Sequence, residues 1–408
     1  MTDCDVAVIG GGIAGTTAAT WLARGGLRVV LLEKGTYPRQ KVCGEFLSPD
    51  GAESLQRLGI WSQIESHRPR PIHTLVLSAG EHEVRHRLSR PGWGIRRWTL
   101  DRLLWEHAES VGVTAWSQTA VRQLTGDFAR GFTLTIQAAY RPSRQLQARA
   151  VICAAGRYWR PSATHKSMST PRGGQHLGVK IHFHELPLDG RVELHTLRHG
   201  YCGLAEVDAG MTTLCCWVGT QAFRQAGGTP ELFLAKCLQD NRHLWRRLRR
   251  ARRIDMPWSS VAYIPRKTPT PFDADVWKVG DSVATIAPLT GEGMALGMLT
   301  AERAAALLLS VFRNDLTWTE AIVEYSRCWR QEFGPRLTWG RRVDVMLRHP
   351  WLASLACGVV KAMPCLVNTI YRRTRGLGIP ATPSDQETSL GPVTTSPARA
   401  PSTSRPEP

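Results

Sequence analysis

The stretch DVAVIGGGIAG, residues 5–15, constrains the fold more than any other part of the chain. Residues 5–9 form a short apolar run with Val6, Val8 and Ile9 β-branched, which suits a buried parallel strand. Gly10, Gly12 and Gly15 follow at G-x-G-x-x-G spacing. TTAATWLARGG then reads as a helix, and RVVLLEK as a second apolar strand ending near Glu33, about 18 residues beyond Gly15. Strand, glycines, small-residue helix, strand and acid in this order predict a βαβ unit that binds an ADP moiety. Gly10 permits the tight turn, Gly12 lets a pyrophosphate approach the backbone, and Gly15 lets helix and strand pack closely. Glu33 stands where an acid meets a ribose hydroxyl. This spacing leaves NAD and FAD both open.

A second glycine-lined helix entrance lies far along the chain. VWKVGDSVATIAPLTGEGMALGMLTAERAAALLL reads as a strand over 276–279, a Gly-Asp turn, a loop, and a long helix from about Glu292. A helix start offers free backbone N–H groups and a partial positive charge. FAD is long enough to place its pyrophosphate on the first entrance and its isoalloxazine on the second. Asp281 then stands between them, positioned for a ribityl hydroxyl.

VGDSVATIAPLTGEGMALG resembles the Gly-Asp and Pro-Leu-Thr-Gly-Glu-Gly segment of the geranylgeranyl reductase family, within the superfamily of aromatic hydroxylases and flavin halogenases. PRQKVCGEFLSP, residues 38–49, resembles the family's Arg-x-Lys-x-Cys-Gly-Gly segment, with Glu45 in place of the last glycine. RRWTLDRLLWEHAESVGV is similar to its Arg, two residues, hydrophobic, Asp pattern and makes Arg97 a candidate cofactor contact. ARAVICAAGR resembles the strand ending in Ala-Asp-Gly, with Ala155 replacing the aspartate. RHGYCGLAEVDAG occupies the place of a Tyr-x-Trp-x-Phe-Pro-type substrate motif: Tyr201 remains, while Gly203, Ala205 and Glu206 replace Trp, Phe and Pro. Neither GWGIRRW nor WSSVAYIP matches the Trp-x-Trp-x-Ile-Pro segment of flavin halogenases.

The resemblance implies an α/β fold with a Rossmann-like FAD-binding domain, an inserted antiparallel-sheet substrate domain and a C-terminal helical segment. Residues 1–70, 94–175 and 274–345 form the expected FAD-binding domain, and 71–93 with 176–273 the substrate domain. Residues 346–380 are expected to be helical. The Pro-, Ser- and Thr-rich stretch 381–408 reads as a disordered tail. Expected cofactor contacts are Gly10, Gly12, Gly15 and Glu33 from the first entrance, and Asp281, Pro288, Gly291, Gly293 and Met294 from the second. Lys34, Arg39 and Arg97 complete the set.

The strands IHTLVLS, HEVRHRL, HLGVKIHFHEL, RVELHTL and MTTLCCWV alternate with period two, which predicts a sheet with one buried face. His182, His184 and His195 on such strands raise the thought of a metal site, but no carboxylate or cysteine stands at characteristic ligand spacing, and no metal is expected. Cys215 and Cys216 should point to opposite faces and serve as packing. The ten cysteines form no Cys-x-x-Cys pair, which fits a reducing cytoplasm. No signal peptide is read before Asp3. A net charge of +18, with NRHLWRRLRRARR at 241–253, is read as attraction to anionic lipid or substrate and not as nucleic-acid binding. HPWLASLACGVVKAMPCLVNTIYRRTRG is apolar but interrupted by Lys361 and Pro364, too short a run to span a bilayer. It suits a packed C-terminal element or an interfacial, substrate-covering helical pair with peripheral membrane contact.

The function expected is an FAD-dependent oxidoreductase that reduces a carbon–carbon double bond of a lipophilic, isoprenoid or polyketide-like substrate. Cys43 is the candidate proton donor, with Arg39 and Lys41 supplying positive charge beside it. With no second G-x-G-x-x-G unit, electrons would come from transiently bound NAD(P)H or from an external carrier. The alternatives are a flavin-dependent monooxygenase acting on an aromatic or polyketide-like substrate, and a non-catalytic flavin-binding membrane-associated protein.

Overall fold

The computed structural model describes residues 2–157, 176–262, 269–285, 288–363 and 365–375; the expected tail 381–408 lies outside them. Strand Cys4–Ile9, helix Ile13–Arg24 and strand Val29–Leu32 form the βαβ unit, with Val6 opposite Val29 in a parallel register. On the other side of Cys4–Ile9 runs strand Arg144–Cys153, followed by Val276–Lys278, and beyond Val29–Leu32 lies Thr114–Trp116, all parallel. Phe272–Asp273 closes one edge antiparallel.

The first strand is buried on both faces, and its alternation shows why. Val6 and Val8 pack with Leu22, Trp277 and Leu308 on the helical side. Ala7 and Ile9 pack with Phe132, Leu134 and Ile136 of an antiparallel meander, Thr119–Asp127 and Gly131–Ala138, on the other. A parallel strand covered on both sides reads as a continuous apolar run, as this one does.

A second sheet, of nine strands among the described residues, carries the strands predicted by period two, together with Gly200–Val207, which the sequence did not mark as a strand. It is antiparallel except at its centre, where Arg191–Leu197 runs parallel to Arg70–Ala79. The expected single buried face is corrected at His176–His184, where every residue but His184 is buried. Leu177, Val179, Ile181 and Phe183 pack on helices Pro230–Asp240 and Arg242–Leu248. The opposite face, with Lys180 and His182, is covered by the loop after the βαβ unit.

Helix Gly293–Phe312 packs against Ile13–Arg24, bringing the two helix entrances side by side. Among the described residues it is the one helix long and apolar enough to cross a membrane by composition, but 61% of its apolar window is buried inside the protein. Helices Gly334–Arg348, Pro350–Ala362 and Cys365–Thr374 follow. The break at Met363 precedes Pro364, which disfavours helical backbone in the residue before it.

Candidate active site

Gly10 has φ +104°, and a Cβ there would lie 2.5 Å from the Ala154 carbonyl oxygen. A Cβ on Gly15 would lie 1.8 Å from the Gly10 oxygen, so this glycine serves helix–strand packing. Gly12 differs: it caps helix Ile13–Arg24 and lines a cavity, and a Cβ there would meet only the Lys41 ammonium at 3.4 Å. An open glycine at a helix N-terminus beside a cation fits a pyrophosphate. Glu33, at the end of the second strand, is buried and accepts the Gly11 N–H at 2.9 Å and the Gly35 N–H at 2.7 Å. Lys34 lines the cavity next to it.

The second entrance faces the same space. Asp281 sits in the turn Gly280–Ser282, with its Oδ2 2.9 Å from Arg157 Nε. Pro288 opens the turn Pro288–Thr290, and Gly291 has φ +66°, where a Cβ would strike the Phe46 ring at 2.6 Å. Gly293 and Met294 begin the helix that Glu292 caps. One cavity of about 970 Å³ is lined by Gly10, Gly12, Glu33, Arg39, Cys43, Arg97, Asp281, Gly291, Gly293 and Met294. It is continuous from the phosphate cradle to the second helix start, the shape an extended FAD requires. Bound there, FAD would be held by Gly12 and Glu33 at its ADP end and by Asp281 and the Gly291–Gly293 backbone at its flavin end.

The loop from Tyr37 to Phe46 crosses this cavity, and its charges fall differently from expectation. Arg39 pairs with Glu33 at 2.9 Å, and Lys41 with Asp101 at 2.6 Å. Each cation is therefore drawn to a buried carboxylate and not to Cys43. The cation near the Cys43 thiol is Arg97, which forks onto Asp101 at 2.7 and 2.9 Å. Burial lowers the Arg97 pKa, but Asp101 and Cys43 outweigh it, so the guanidinium stays charged. Cys43 is half-buried, lines the cavity, and accepts the Glu45 N–H at 3.4 Å.

Glu45 is the residue whose role the sequence did not disclose. Its backbone takes φ +57°, the glycine-favoured region that the family's glycine would occupy without strain. The side chain is fully buried. Oε1 accepts from Lys180 Nζ at 2.5 Å and from the Arg97 N–H at 2.8 Å. Oε2 accepts from His182 Nε2 at 2.8 Å and from the Thr213 hydroxyl. Burial alone would raise its pKa, but Lys180 and His182 hold it down to about 2. The histidine triad considered above is not assembled: His182 binds Glu45, His184 is exposed, and His195 bonds Ser78 at 2.7 Å. Cys216 packs in the core of the second sheet, and both Cys215 and Cys216 border the cavity.

Beyond the loop the cavity becomes apolar. Leu75, Leu77 and Val84 of the second sheet line it, with Tyr201 and Trp217. Burial pushes the Tyr201 hydroxyl well above its ordinary pKa, so it stays protonated. The C-terminal helices complete the wall with Ala356, Val360, Val367, Ile370 and Tyr371. Of these wall residues the sequence had marked Tyr201 alone; the helices were legible as substrate-covering elements without individual contacts.

A family model described as an FAD binding domain matches residues 3–317. The menaquinone reductase of Mycolicibacterium smegmatis is 45% identical over 65 residues, a match spanning 16% of each chain. A tryptophan 2-halogenase of Chondromyces crocatus is 26% identical over 353 residues, covering 80% of this chain and 65% of that one. Among solved structures, the myxobacterial chondrochloren halogenase superposes with a TM-score of 0.76 at 18% identity, over 91% of this chain and 90% of that one, a likeness of fold alone. The family match covers both helix entrances and most of the strands between them: the chain belongs to the FAD-binding-domain family.

Proposed function

We propose that this flavoenzyme reduces a carbon–carbon double bond of a lipophilic substrate, as the resemblance to geranylgeranyl reductases implies. The observation carrying the reading is the position of Cys43. The thiol lines the cavity that joins the cofactor cradle to the apolar chamber, with Arg97 near it. Flavin bound here and reduced by its electron donor would supply hydride to one carbon of the double bond. The other carbon would then need a proton, which we assign to the Cys43 thiol. The apolar wall excludes water and selects an uncharged substrate. The match to a menaquinone reductase, whose named substrate is a lipophilic quinone, supports this substrate class.

Electrons come from NAD(P)H bound transiently or from an external carrier, since the chain has one G-x-G-x-x-G unit. A second reading, hydroxylation, draws support from the closure of the chamber by the C-terminal helices, which would shelter a reduced flavin meeting oxygen. Product mass separates the two. Incubating the reduced protein with lipid extracts should yield a product heavier by two hydrogens, and a gain of one oxygen would establish hydroxylation instead.

A further inference from the structure

Ten large apolar side chains are exposed among the described residues, and four of them, Trp351, Leu355, Val359 and Met363, lie on helix Pro350–Ala362 and its C-terminal cap. Their spacing of four places them along one side of the helix. On the other side Ala353 and Cys357 are buried, and Ala356 and Val360 line the cavity. This helix is thus apolar towards the cavity and apolar towards the outside. Singly exposed hydrophobes are ordinary on a protein surface, but a contiguous stripe marks an interaction site.

The charge around the stripe identifies what covers it. No Asp or Glu occurs between Asp344 and Arg375, while Arg348, Lys361, Arg372, Arg373 and Arg375 all fall in that interval. Arg348 pairs with Asp344 and Arg375 with Glu292. Lys361, Arg372 and Arg373 are exposed and have no ion pair among the described residues. An apolar stripe in a segment whose exposed cations have no ion pair among the described residues, on a chain of net charge +18, complements a bilayer surface with anionic headgroups. Thirteen residues of helix extend about 20 Å, short of the roughly 30 Å hydrocarbon core, so the helix cannot cross and must lie in the interfacial plane.

We propose that helix Pro350–Ala362 docks the protein on anionic phospholipid membranes through Trp351, Leu355, Val359 and Met363. One helix then separates the bilayer from the substrate cavity, and a lipophilic molecule has a short path from lipid to the chamber wall. The docking itself does not depend on whether the enzyme reduces or hydroxylates.

The test is flotation of the purified full chain with phosphatidylcholine vesicles, with and without phosphatidylglycerol, and needs no turnover. Wild-type protein should float with the anionic vesicles and do so less as salt rises. The triple variant Trp351→Ser, Leu355→Ser, Val359→Ser should partition at least about tenfold less, because apolar burial supplies most of interfacial binding. Arg372→Ser with Arg373→Ser should lose the preference for phosphatidylglycerol. Val323→Ser, at an exposed apolar position on helix Trp318–Cys328, should bind as wild type does. Flavin content and thermal midpoint report whether each variant is folded, and if the triple variant is not, Leu355→Ser alone serves with a smaller expected loss. Absence of wild-type binding to every vesicle, or undiminished binding by a folded stripe variant, overturns the proposal. So does a wild-type dimer in light scattering that the stripe variant dissolves, for the occupant would then be a second copy of this chain.

Discussion

Lys180 Nζ lies 2.5 Å from Glu45 Oε1 with both side chains buried, so one charge pair ties the loop over the cofactor cavity to the second sheet. The loop also carries Cys43, two residues before Glu45, and the Glu45 N–H bonds the Cys43 sulfur. The pair therefore fixes the thiol as well as the loop.

Replacing Glu45 by glycine sets two effects against each other. Relief of the positive φ favours the variant by roughly 1–2 kcal/mol. Loss of the carboxylate leaves Lys180 and His182 buried without their partner, a change that costs about 3–5 kcal/mol. Glu45→Gly should therefore lower stability by about 2 kcal/mol, read by urea unfolding, and adding Lys180→Met should recover part of the loss. A single variant as stable as wild type would show that the ion pair does not hold the loop.

Cys43→Ala should retain bound FAD and its visible spectrum, yet slow flavin reoxidation by substrate about 10²-fold, the scale of a positioned acid. Reduction of the flavin by its electron donor should be nearly unchanged, since that step does not use the substrate's proton. Stopped-flow traces of the two half-reactions separate these effects. Reoxidation of Cys43→Ala at the wild-type rate would reduce the thiol to packing.

The cofactor end of this site was legible because its signals are local. Gly10, Gly12, Gly15 and Glu33 declare a turn, a helix start and a strand end within one short stretch. Glu45 was visible only as a departure from a glycine, because Lys180 and His182 lie 135 and 137 residues away in sequence. The period-two pattern of His176–His184 implied one buried face, but the pattern cannot tell a polar face met by solvent from one met by a buried carboxylate. Arg39 and Lys41 were assigned to Cys43 by sequence proximity, whereas Glu33 and Asp101, carboxylates from other elements, claimed them. Local propensity set the elements; long-range charge pairing set the chemistry of the loop between them.

Asp281→Ala should weaken FAD retention. The carboxylate lines the cavity between the two helix entrances, where one unmade hydrogen bond costs about 1–3 kcal/mol, or roughly 5- to 150-fold in Kd. The ratio of flavin to protein absorbance after gel filtration measures the effect. A variant that keeps a full flavin complement through repeated dilution would remove Asp281 from the cofactor contacts.

Glu292 caps the helix that faces the flavin, and it should make stability fall as pH rises from about 4.5 to about 7. Burial raises its pKa to about 7, against the pull of Arg375 at 3.1 Å and Arg336 at 3.7 Å. An unfolded glutamate releases its proton near 4.5, so between that pH and about 7 the folded chain holds a proton that the unfolded chain has lost. This contribution is fully present below 4.5 and declines as pH rises through the folded value, with a slope of up to about 1.4 kcal/mol per pH unit. Glu292→Gln has no proton to lose, and its stability should lack this component. Wild type should therefore lose stability relative to the variant as pH rises from 5 to 7, because burial outweighs the pull of Arg336 and Arg375 on the ionised carboxylate. Urea midpoints of wild type and variant at pH 5, 6, 7 and 8 give the difference directly, with other titrating groups cancelling between the two proteins. A constant offset across that range, with no narrowing or widening, would show that Glu292 stays ionised in the folded state and that its arginine partners outweigh its burial.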